Sequence, residues 1–209
     1  MNLDKRTEEM STFFNKVVDI DYDELHTKRI KAKERVIDFL PKNINNIIDL
    51  GAGTGLQLIK LYKEFPNVHT TAIDVSEGML RKLKERNLSD NITIVNESFF
   101  TYDFGKNVDA VISTQALHHF DPNDKLILYK KVFDCLKDGS VFVIEDTFAI
   151  DDNAERQGFE DYKNLVRGPE KHYDTPLTTE HEKNIMRKAG FSEIEECITD
   201  EYKILVAHK

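Results

Sequence analysis

The segment NIIDLGAGTGLQLIKL, residues 46–61, constrains the fold of this chain more than any other. A short apolar run leads into glycines at three alternate positions, Gly51, Gly53 and Gly55, and an amphipathic run follows. This order predicts a buried strand, a tight bend and a helix. Glycine in such a bend lets a ligand lie against bare backbone, and the following helix presents unpaired N–H groups. The segment therefore predicts a binding site at the end of a strand.

Similar alternation along the rest of the chain predicts an α/β fold, with a mostly parallel, doubly wound sheet and helices on both faces. The expected strands are residues 46–50, 68–74, 92–95, 108–113 and 140–148, followed by a closing hairpin from 191–198 and 201–209. The expected helices are 5–19, 24–40, 55–65, one capped by Ser76, one from Asp121-Pro122 to Gly139, and one from a Thr179-x-x-Glu182 capping box to Gly190.

We expect two regions: an N-terminal helical segment, 1–40, and one α/β domain, 41–209, with a polar helical and loop insertion at about 151–177. The net charge of −9 disfavours nucleic acid as a partner. Cys135 and Cys197 lack CxxC spacing, so neither a disulfide framework nor a zinc site is expected. Without a signal region or a long apolar stretch, the protein is expected to be cytoplasmic and not membrane-bound.

The glycine pattern differs from the dinucleotide fingerprint G-x-G-x-x-G, because Leu56 occupies the position of the third glycine. Asp74 ends the second expected strand, 23 residues after Gly51 (74 − 51), where a ribose-binding carboxylate belongs. The two features together predict a nucleoside site with an altered phosphate end.

Several motifs occur in the order found in one known superfamily. DLGAGTG (49–55), AIDVSEGML (72–80) and VDAVISTQALHHF (108–120) resemble motifs of the class I S-adenosylmethionine-dependent methyltransferases. The resemblance implies a Rossmann-like seven-stranded sheet, an N-terminal helical lid and S-adenosyl-L-methionine as cofactor. It covers roughly residues 40–209 and is strongest for small, stand-alone members.

The resemblance also implies a set of cofactor contacts. Asp49 would meet the ammonium group of the cofactor, Asp74 both ribose hydroxyls, and Val75 and Met79 the adenine. Ser98 stands where the family often has an acidic residue, and Tyr22 is either a contact of the cofactor carboxylate or a surface tyrosine. The full expected set is Tyr22, Asp49, Gly51, Ala52, Gly53, Gly55, Asp74, Val75, Met79, Ser98, Phe99, Thr114, Gln115 and Ala116.

The methyl acceptor is less constrained by sequence. Motifs for amino groups of nucleic-acid bases or protein amides, for cytosine C5 and for a catechol-type magnesium site are missing, which favours a small-molecule acceptor and no metal. The candidates for a general base are His119, His172 and Tyr173, although a histidine in this position more often packs or caps. The chain is expected to act as a monomer or homodimer.

Three alternatives stay open at this stage. One is an RNA-modifying methyltransferase that uses the basic run Lys28, Arg29, Lys31, Lys33 and Arg35, although such a run is more often a solvated helix face. The second is a non-catalytic protein that binds S-adenosylmethionine. The third is an NAD-dependent oxidoreductase, against which Leu56 argues.

Overall fold

The computed structural model describes residues 3–18, 22–25, 27–164, 174–199 and 202–209. Its strands are β1 (Asn46–Leu50), β2 (His69–Asp74), β3 (Ile92–Asn96), β4 (Val108–Thr114), β5 (Leu136–Glu145), β6 (Glu193–Ile198) and β7 (Lys203–His208). Its helices are α1 (Leu3–Val17), α2 (Tyr22–Leu25), α3 (Thr27–Arg35), α4 (Leu56–Glu64), α5 (Glu77–Glu85), α6 (Pro122–Cys135), α7 (Asp152–Asn164) and α8 (Thr179–Ala189), with short 3-10 turns at Val36–Phe39 and Leu117–His119.

The seven strands form one sheet in the order β3-β2-β1-β4-β5-β7-β6. Strands β1 to β5 pair in parallel, and β7 pairs antiparallel with both β5 and β6. The predicted α/β Rossmann-like sheet and its C-terminal hairpin are therefore confirmed. The strand order reverses between β1 and β4, and the carboxyl ends of these strands define the crevice where such sheets bind ligands.

The sheet separates two apolar cores, because side chains alternate between its faces. On one face, Leu50, Val111 and Phe142 pack against the helices α6 and α8. On the other face, Ile47 and Val143 pack against α4 and the turn at Val36–Phe39. Both cores extend to the carboxyl ends of β1 and β4, so packed apolar side chains support the backbone that surrounds the crevice.

The helix expected over 24–40 is divided into α2, α3 and a 3-10 turn. The last turn tightens to 3-10 geometry and then stops, because Pro41 disfavours a helical conformation at Leu40, which is extended with φ −75° and ψ 143°. Helix α1 covers most of the expected 5–19 and packs on the start of α5. There Asn15 Oδ1 accepts hydrogen bonds from Ser76 Oγ at 2.9 Å and from the Gly78 N–H at 2.8 Å.

Two predicted helix boundaries are wrong. Helix α6 ends at Cys135, and β5 begins at the next residue, so Gly139 does not close that helix. Gly139 instead has φ +79°, donates its N–H to the Lys209 carbonyl at 2.8 Å, and lies where the pairing of β4 and β5 shifts register. The N-cap of α8 is Thr178, whose hydroxyl accepts from the His181 N–H at 3.2 Å, and not Thr179.

Glu182 consequently does not complete a capping box. Its side chain is buried, accepts from Lys125 Nζ at 2.6 Å, and bonds the Tyr129 hydroxyl. This cluster joins α8 to α6 beneath the sheet. The predicted C-terminal end of the helix at Gly190 is confirmed, with φ +124°.

The predicted insertion at about 151–177 contains helix α7, and its residues 165–173 lie outside the described part of the chain. Helix α7 is attached to the start of α8, because Glu155 accepts from the Thr178 N–H at 2.7 Å and pairs with His181 Nδ1 at 2.6 Å. Among the helices of the described residues, none has both the length and the apolar character that crossing a bilayer requires.

Candidate functional site

The glycine bend joins β1 to α4, and its three glycines have φ of +72°, +54° and +75°. A Cβ on Gly51 would overlap the Cβ of Ala116, and one on Gly55 would overlap the Leu83 side chain. A Cβ on Gly53 would meet nothing closer than 4.0 Å. Gly51 and Gly55 are therefore required by packing and backbone conformation, whereas Gly53 borders open space in the crevice.

Asp74, at the end of β2, stabilises this bend through hydrogen bonds. Its Oδ2 accepts from the Gly53 N–H at 2.9 Å, and its Oδ1 accepts from the Ser76 N–H at 2.8 Å. Burial raises the pKa of this carboxyl, and the backbone donors, led by Ser76, act against that rise. Each carboxylate oxygen can accept a further hydrogen bond, so Asp74 can hold the loop and a ligand hydroxyl together.

The crevice beside Gly53 is lined by residues from the helices α1 to α5, from the strands β2 and β4, and from the adjoining loops and 3-10 turn. The sequence-predicted residues on its wall are Tyr22, Gly51, Ala52, Gly53, Gly55, Asp74, Val75, Met79, Phe99, Thr114, Gln115, Ala116 and His119. Ser98 is not on this wall, and its hydroxyl accepts from the Phe100 N–H at 3.3 Å. The expected contact of Ser98 with the adenine is therefore not supported by its position, since its side chain caps its own turn.

Asp49 lies beneath the bend and is fully buried. Gln57 Nε2 donates to its Oδ2 at 2.6 Å, but its Oδ1 has no hydrogen-bond partner in the described part of the chain. Burial raises the pKa of Asp49 to about 7, opposed by the Gln57 hydrogen bond. A buried carboxylate oxygen without a hydrogen-bond donor is uncommon in folded proteins, and Asp49 Oδ1 can accept a further hydrogen bond.

Two further buried oxygens, on the same face of the sheet as Asp49, lack hydrogen-bond partners among the described residues. Thr114 and Glu145 pair across β4 and β5, and Asp49 pairs with Ile112, so all three side chains share one face of the sheet. Thr114 Oγ1 and Glu145 Oε2 are buried without a partner among the described residues. Burial raises the pKa of Glu145 to about 7, with a further contribution from the charge of Asp146. We call Asp49, Thr114 and Glu145 the acidic floor; of the three, Thr114 lines the crevice itself and the two carboxyl groups are buried beneath it.

Lys33 is a cation whose charge acts on both Asp49 and Glu145. It is buried, lines the crevice and lies with its Nζ 6.0 Å from the centroid of the Tyr22 ring. Burial lowers the pKa of Lys33, and the charges of Glu145 and Asp49 oppose that effect. The interpretation of the basic run as a solvated face is therefore wrong for Lys33, although Lys31 and Arg35 are exposed as expected.

Helix α2 is attached directly to the glycine bend. The Thr54 hydroxyl donates to Asp23 Oδ1 at 2.6 Å, and Arg86 bonds both the Asp23 carboxylate and the Thr54 carbonyl. The neighbouring Tyr22 faces the crevice, where burial raises its pKa to about 12. The N-terminal segment therefore forms one wall of the site.

A second cavity adjoins the crevice beyond His119. It is lined by Phe13, Phe14, Val17, Tyr22, Arg29, Gln115, His118, His119, Thr147 and Asp174. Gln115, with an unusual φ of +53°, separates the two spaces and bonds Glu145 and Arg29. His119 lines both spaces, whereas His172 and Tyr173 lie outside the described residues.

Sequence reasoning missed several residues of the site, notably Lys33, Gln57 and Glu145. For Lys33 a signal existed, because Val36 and Ile37 follow at helical spacings of three and four residues and are buried. That spacing puts Lys33 on the apolar face of its helix. Gln57 and Glu145 carry no comparable local signal.

Comparison with known proteins agrees with this fold. Residues 47–139 match the family described as methyltransferase domain. Carboxy-S-adenosyl-L-methionine synthase of Nautilia profundicola is 26% identical over 167 residues, 72% of this chain and 71% of that protein. An uncharacterised methyltransferase of Bacillus cytotoxicus is 29% identical over 136 residues, 65% of this chain and 61% of that protein.

Among solved structures, a putative O-methyltransferase from Nostoc punctiforme superimposes with a TM-score of 0.72 at 18% identity. The superposition covers 94% of this chain and 60% of that one, so this chain spans about three fifths of it. Residues 47–139 therefore form a methyltransferase domain, and the predicted resemblance to the class I S-adenosylmethionine-dependent methyltransferases is confirmed. This confirms the predicted class of enzyme and, with it, the cofactor of that class, S-adenosyl-L-methionine. The NAD-dependent alternative is not supported.

Proposed function

We propose that this protein binds S-adenosyl-L-methionine in the crevice at the ends of β1, β2 and β4 and transfers its methyl group to a small molecule in the adjoining cavity. The observation that carries this proposal is the open space beside Gly53 next to the anchored carboxylate of Asp74. A nucleoside fits that position because its ribose can bond the carboxylate while the rest lies against backbone that has no Cβ.

The adenosine end would occupy the side of the crevice formed after β2. Asp74 would accept hydrogen bonds from the ribose hydroxyls, and Val75, Met79 and Phe99 offer apolar surface to the adenine. Met79 and Phe99 are buried against the body of the protein, which makes this wall rigid. Ser98 is left out of the proposed contacts because its side chain is used within its own turn.

The amino acid end would lie over the acidic floor. The cofactor ammonium group can donate to the unpartnered Asp49 Oδ1 and so remove an uncompensated buried oxygen. Lys33 and the Tyr22 hydroxyl line the same end of the crevice and offer donors to the cofactor carboxylate. Binding would thus supply opposite charges to groups that are otherwise costly to bury.

The acceptor would occupy the cavity beyond Gln115. Phe13, Phe14 and Val17 give it apolar walls, and Arg29 adds one cation. Such a lining fits a small, partly apolar molecule that carries an anionic or polar group. His119 borders both cavities, so it can accept a proton where the acceptor has to lose one. His172 and Tyr173 remain sequence-based candidates for the same role.

Methyl transfer would proceed by in-line displacement. The acceptor atom forms a bond to the methyl carbon as the carbon–sulfur bond breaks, and the electron pair of that bond stays on sulfur, which loses its positive charge. The enzyme's main contribution is to hold the acceptor atom, carbon and sulfur collinear and away from water, which can lower the barrier by several kcal/mol. Helices α1 and α2 cover one side of the crevice, and this cover would help to keep water away from the reacting atoms.

A second candidate is formation of a modified S-adenosylmethionine in place of methyl transfer. It is favoured by the 26% identity to carboxy-S-adenosyl-L-methionine synthase and by the cations Arg29 and Lys33 around the crevice. RNA methylation is less well supported. Lys33 of the basic run lines the crevice and is buried, and the whole chain has a net charge of −9, which would repel an RNA backbone.

The test is incubation of the purified protein with methyl-labelled S-adenosylmethionine and a metabolite extract, followed by mass spectrometry. The proposal expects label in a small molecule together with an equal amount of S-adenosylhomocysteine. Label in an RNA fraction, or a heavier cofactor derivative without S-adenosylhomocysteine, would select one of the alternatives. Cofactor binding with no turnover in any fraction would indicate a non-catalytic binding protein.

A further inference from the structure

Two histidines and an aspartate converge in the lining of the second cavity, which is the proposed acceptor cavity. Asp174 Oδ1 lies 3.1 Å from His119 Nδ1 and 3.5 Å from His118 Nε2. One donor atom from each of the three side chains lies within 4.8 Å of the others. Both histidines are buried and held by the 3-10 turn after β4, while Asp174 is exposed on its outer side.

The orientation of His118 is fixed by a carboxylate behind it. Its Nδ1 bonds Asp146 Oδ1, and Asp146 is itself held by backbone N–H groups of Leu117 at 2.9 Å and Thr147 at 2.8 Å. A histidine that donates Nδ1–H to a carboxylate presents the lone pair of Nε2 on its other side. This is the arrangement in which histidine binds metal ions in proteins, because the carboxylate sets the tautomer and raises the basicity of the ring.

We propose that His118 Nε2, His119 Nδ1 and Asp174 Oδ1 form a binding site for a divalent transition metal ion, with Zn²⁺ as the best match. Two imidazoles and one carboxylate are a ligand set that suits zinc and leaves a fourth position for a non-protein ligand. Asp146 orients one ligand from behind. The fourth position faces the acceptor cavity, which shares all three ligands in its lining.

The site would bind the reacting atom of an acceptor, and this part of the inference rests on the proposed function. A hydroxyl or thiol bound to a zinc ion would lose its proton to solvent water more readily, since the cation would stabilise the resulting alkoxide or thiolate. With the ion bound, His119 would act as a ligand, and the metal would take over the task of lowering the proton affinity of the acceptor. The acceptor class favoured is therefore a small molecule with a coordinating hydroxyl or thiol.

This inference departs from the sequence expectation of no metal. His119 and Asp174 are 55 positions apart (174 − 119), and Asp174 lies near the end of the insertion, so no local spacing signals the site. The cysteines, which were the basis for excluding zinc, are not involved: Cys135 is buried within the fold at the end of α6.

The test is titration of metal-free full-length protein, prepared without a polyhistidine tag, with Co²⁺ as a spectroscopic substitute and then with Zn²⁺ in competition. The wild-type protein should bind one equivalent of Co²⁺ with visible absorption of a nitrogen- and oxygen-ligated ion. Asp174→Ala and His119→Ala should each weaken binding at least tenfold, and Asp146→Asn by about ten- to hundredfold. His69→Ala, at an exposed histidine bonded to Thr93, is the matched control and should bind as the wild type.

Two results would overturn the proposal: no saturable binding by the wild-type protein, or equal affinity in Asp174→Ala, His119→Ala and the control. Because Asp174 is exposed, its replacement should leave the fold intact, and a melting curve of each variant verifies this. S-adenosylmethionine affinity is measured in the same metal-free samples. Intact cofactor binding without metal binding would refute the metal site alone, whereas loss of cofactor binding would count against the proposed function.

Discussion

Replacing Asp74 by alanine is the substitution whose effect follows most directly from the geometry. The change removes the proposed ribose acceptor and also releases the Gly53 N–H, which Asp74 Oδ2 holds at 2.9 Å. A hydrogen bond to a charged group is worth about 1.5–3 kcal/mol, and 1.4 kcal/mol corresponds to a factor of ten in affinity. Asp74→Ala should therefore weaken S-adenosylmethionine binding by about ten- to hundredfold.

The assay is isothermal titration calorimetry with S-adenosylhomocysteine and S-adenosylmethionine, below the melting temperature of the variant. The matched control is Asp103→Ala, an exposed aspartate that accepts from the Gly105 N–H at 2.9 Å and lies away from the crevice. The control should bind as the wild type. An Asp74→Ala affinity within twofold of the wild type, in a protein that still melts cooperatively, would refute the assignment of the ribose to this carboxylate.

Three other experiments test the packing and the charges around the site and in the core. Gly55→Ala should lower the melting temperature more than Gly53→Ala, because both carry the cost of a positive φ, about 1–2 kcal/mol, but only the former overlaps Leu83. Chemical denaturation at a series of pH values tests Glu145, whose pKa is raised from 4.5 to about 7 by burial. The folded protein then binds more protons than the unfolded chain between these values, so stability should fall as the pH rises through this window, and Glu145→Gln should make the fall shallower. An identical slope in the variant would contradict the raised pKa. Glu182→Ala should cost about 3–5 kcal/mol of unfolding free energy, since it leaves buried Lys125 without its partner, and a loss under 1 kcal/mol would indicate a surface role.

Much of the fold could be predicted from sequence because its signals are local. The apolar runs that became β1 to β5 are short and bounded by turn residues, and the glycine bend identified the end of β1 where the site lies. The errors arose where two local signals compete. Gly139 follows a helical pattern closely enough to suggest a C-cap, yet α6 ends earlier and that glycine serves a register shift in β5.

The candidate site was predictable only where one segment carries it. Gly53 and Asp74 were expected from the bend and the strand end, and they meet in the structure. Lys33 and Glu145 come from elements far apart in sequence, and only the packing of α3 against α4 brings their charges together. The cluster of His119 with Asp174 depends in the same way on how the end of the insertion packs beside the turn after β4.

The most direct measurement of the central claim is a crystal structure of the protein with S-adenosylhomocysteine, supported by a binding isotherm. The account predicts the nucleoside in the crevice beside Gly53, its ribose hydroxyls on Asp74, and its amino group within hydrogen-bond distance of Asp49 Oδ1. Saturable binding with the ligand at any other place on the protein, or an empty crevice at millimolar ligand, would contradict it.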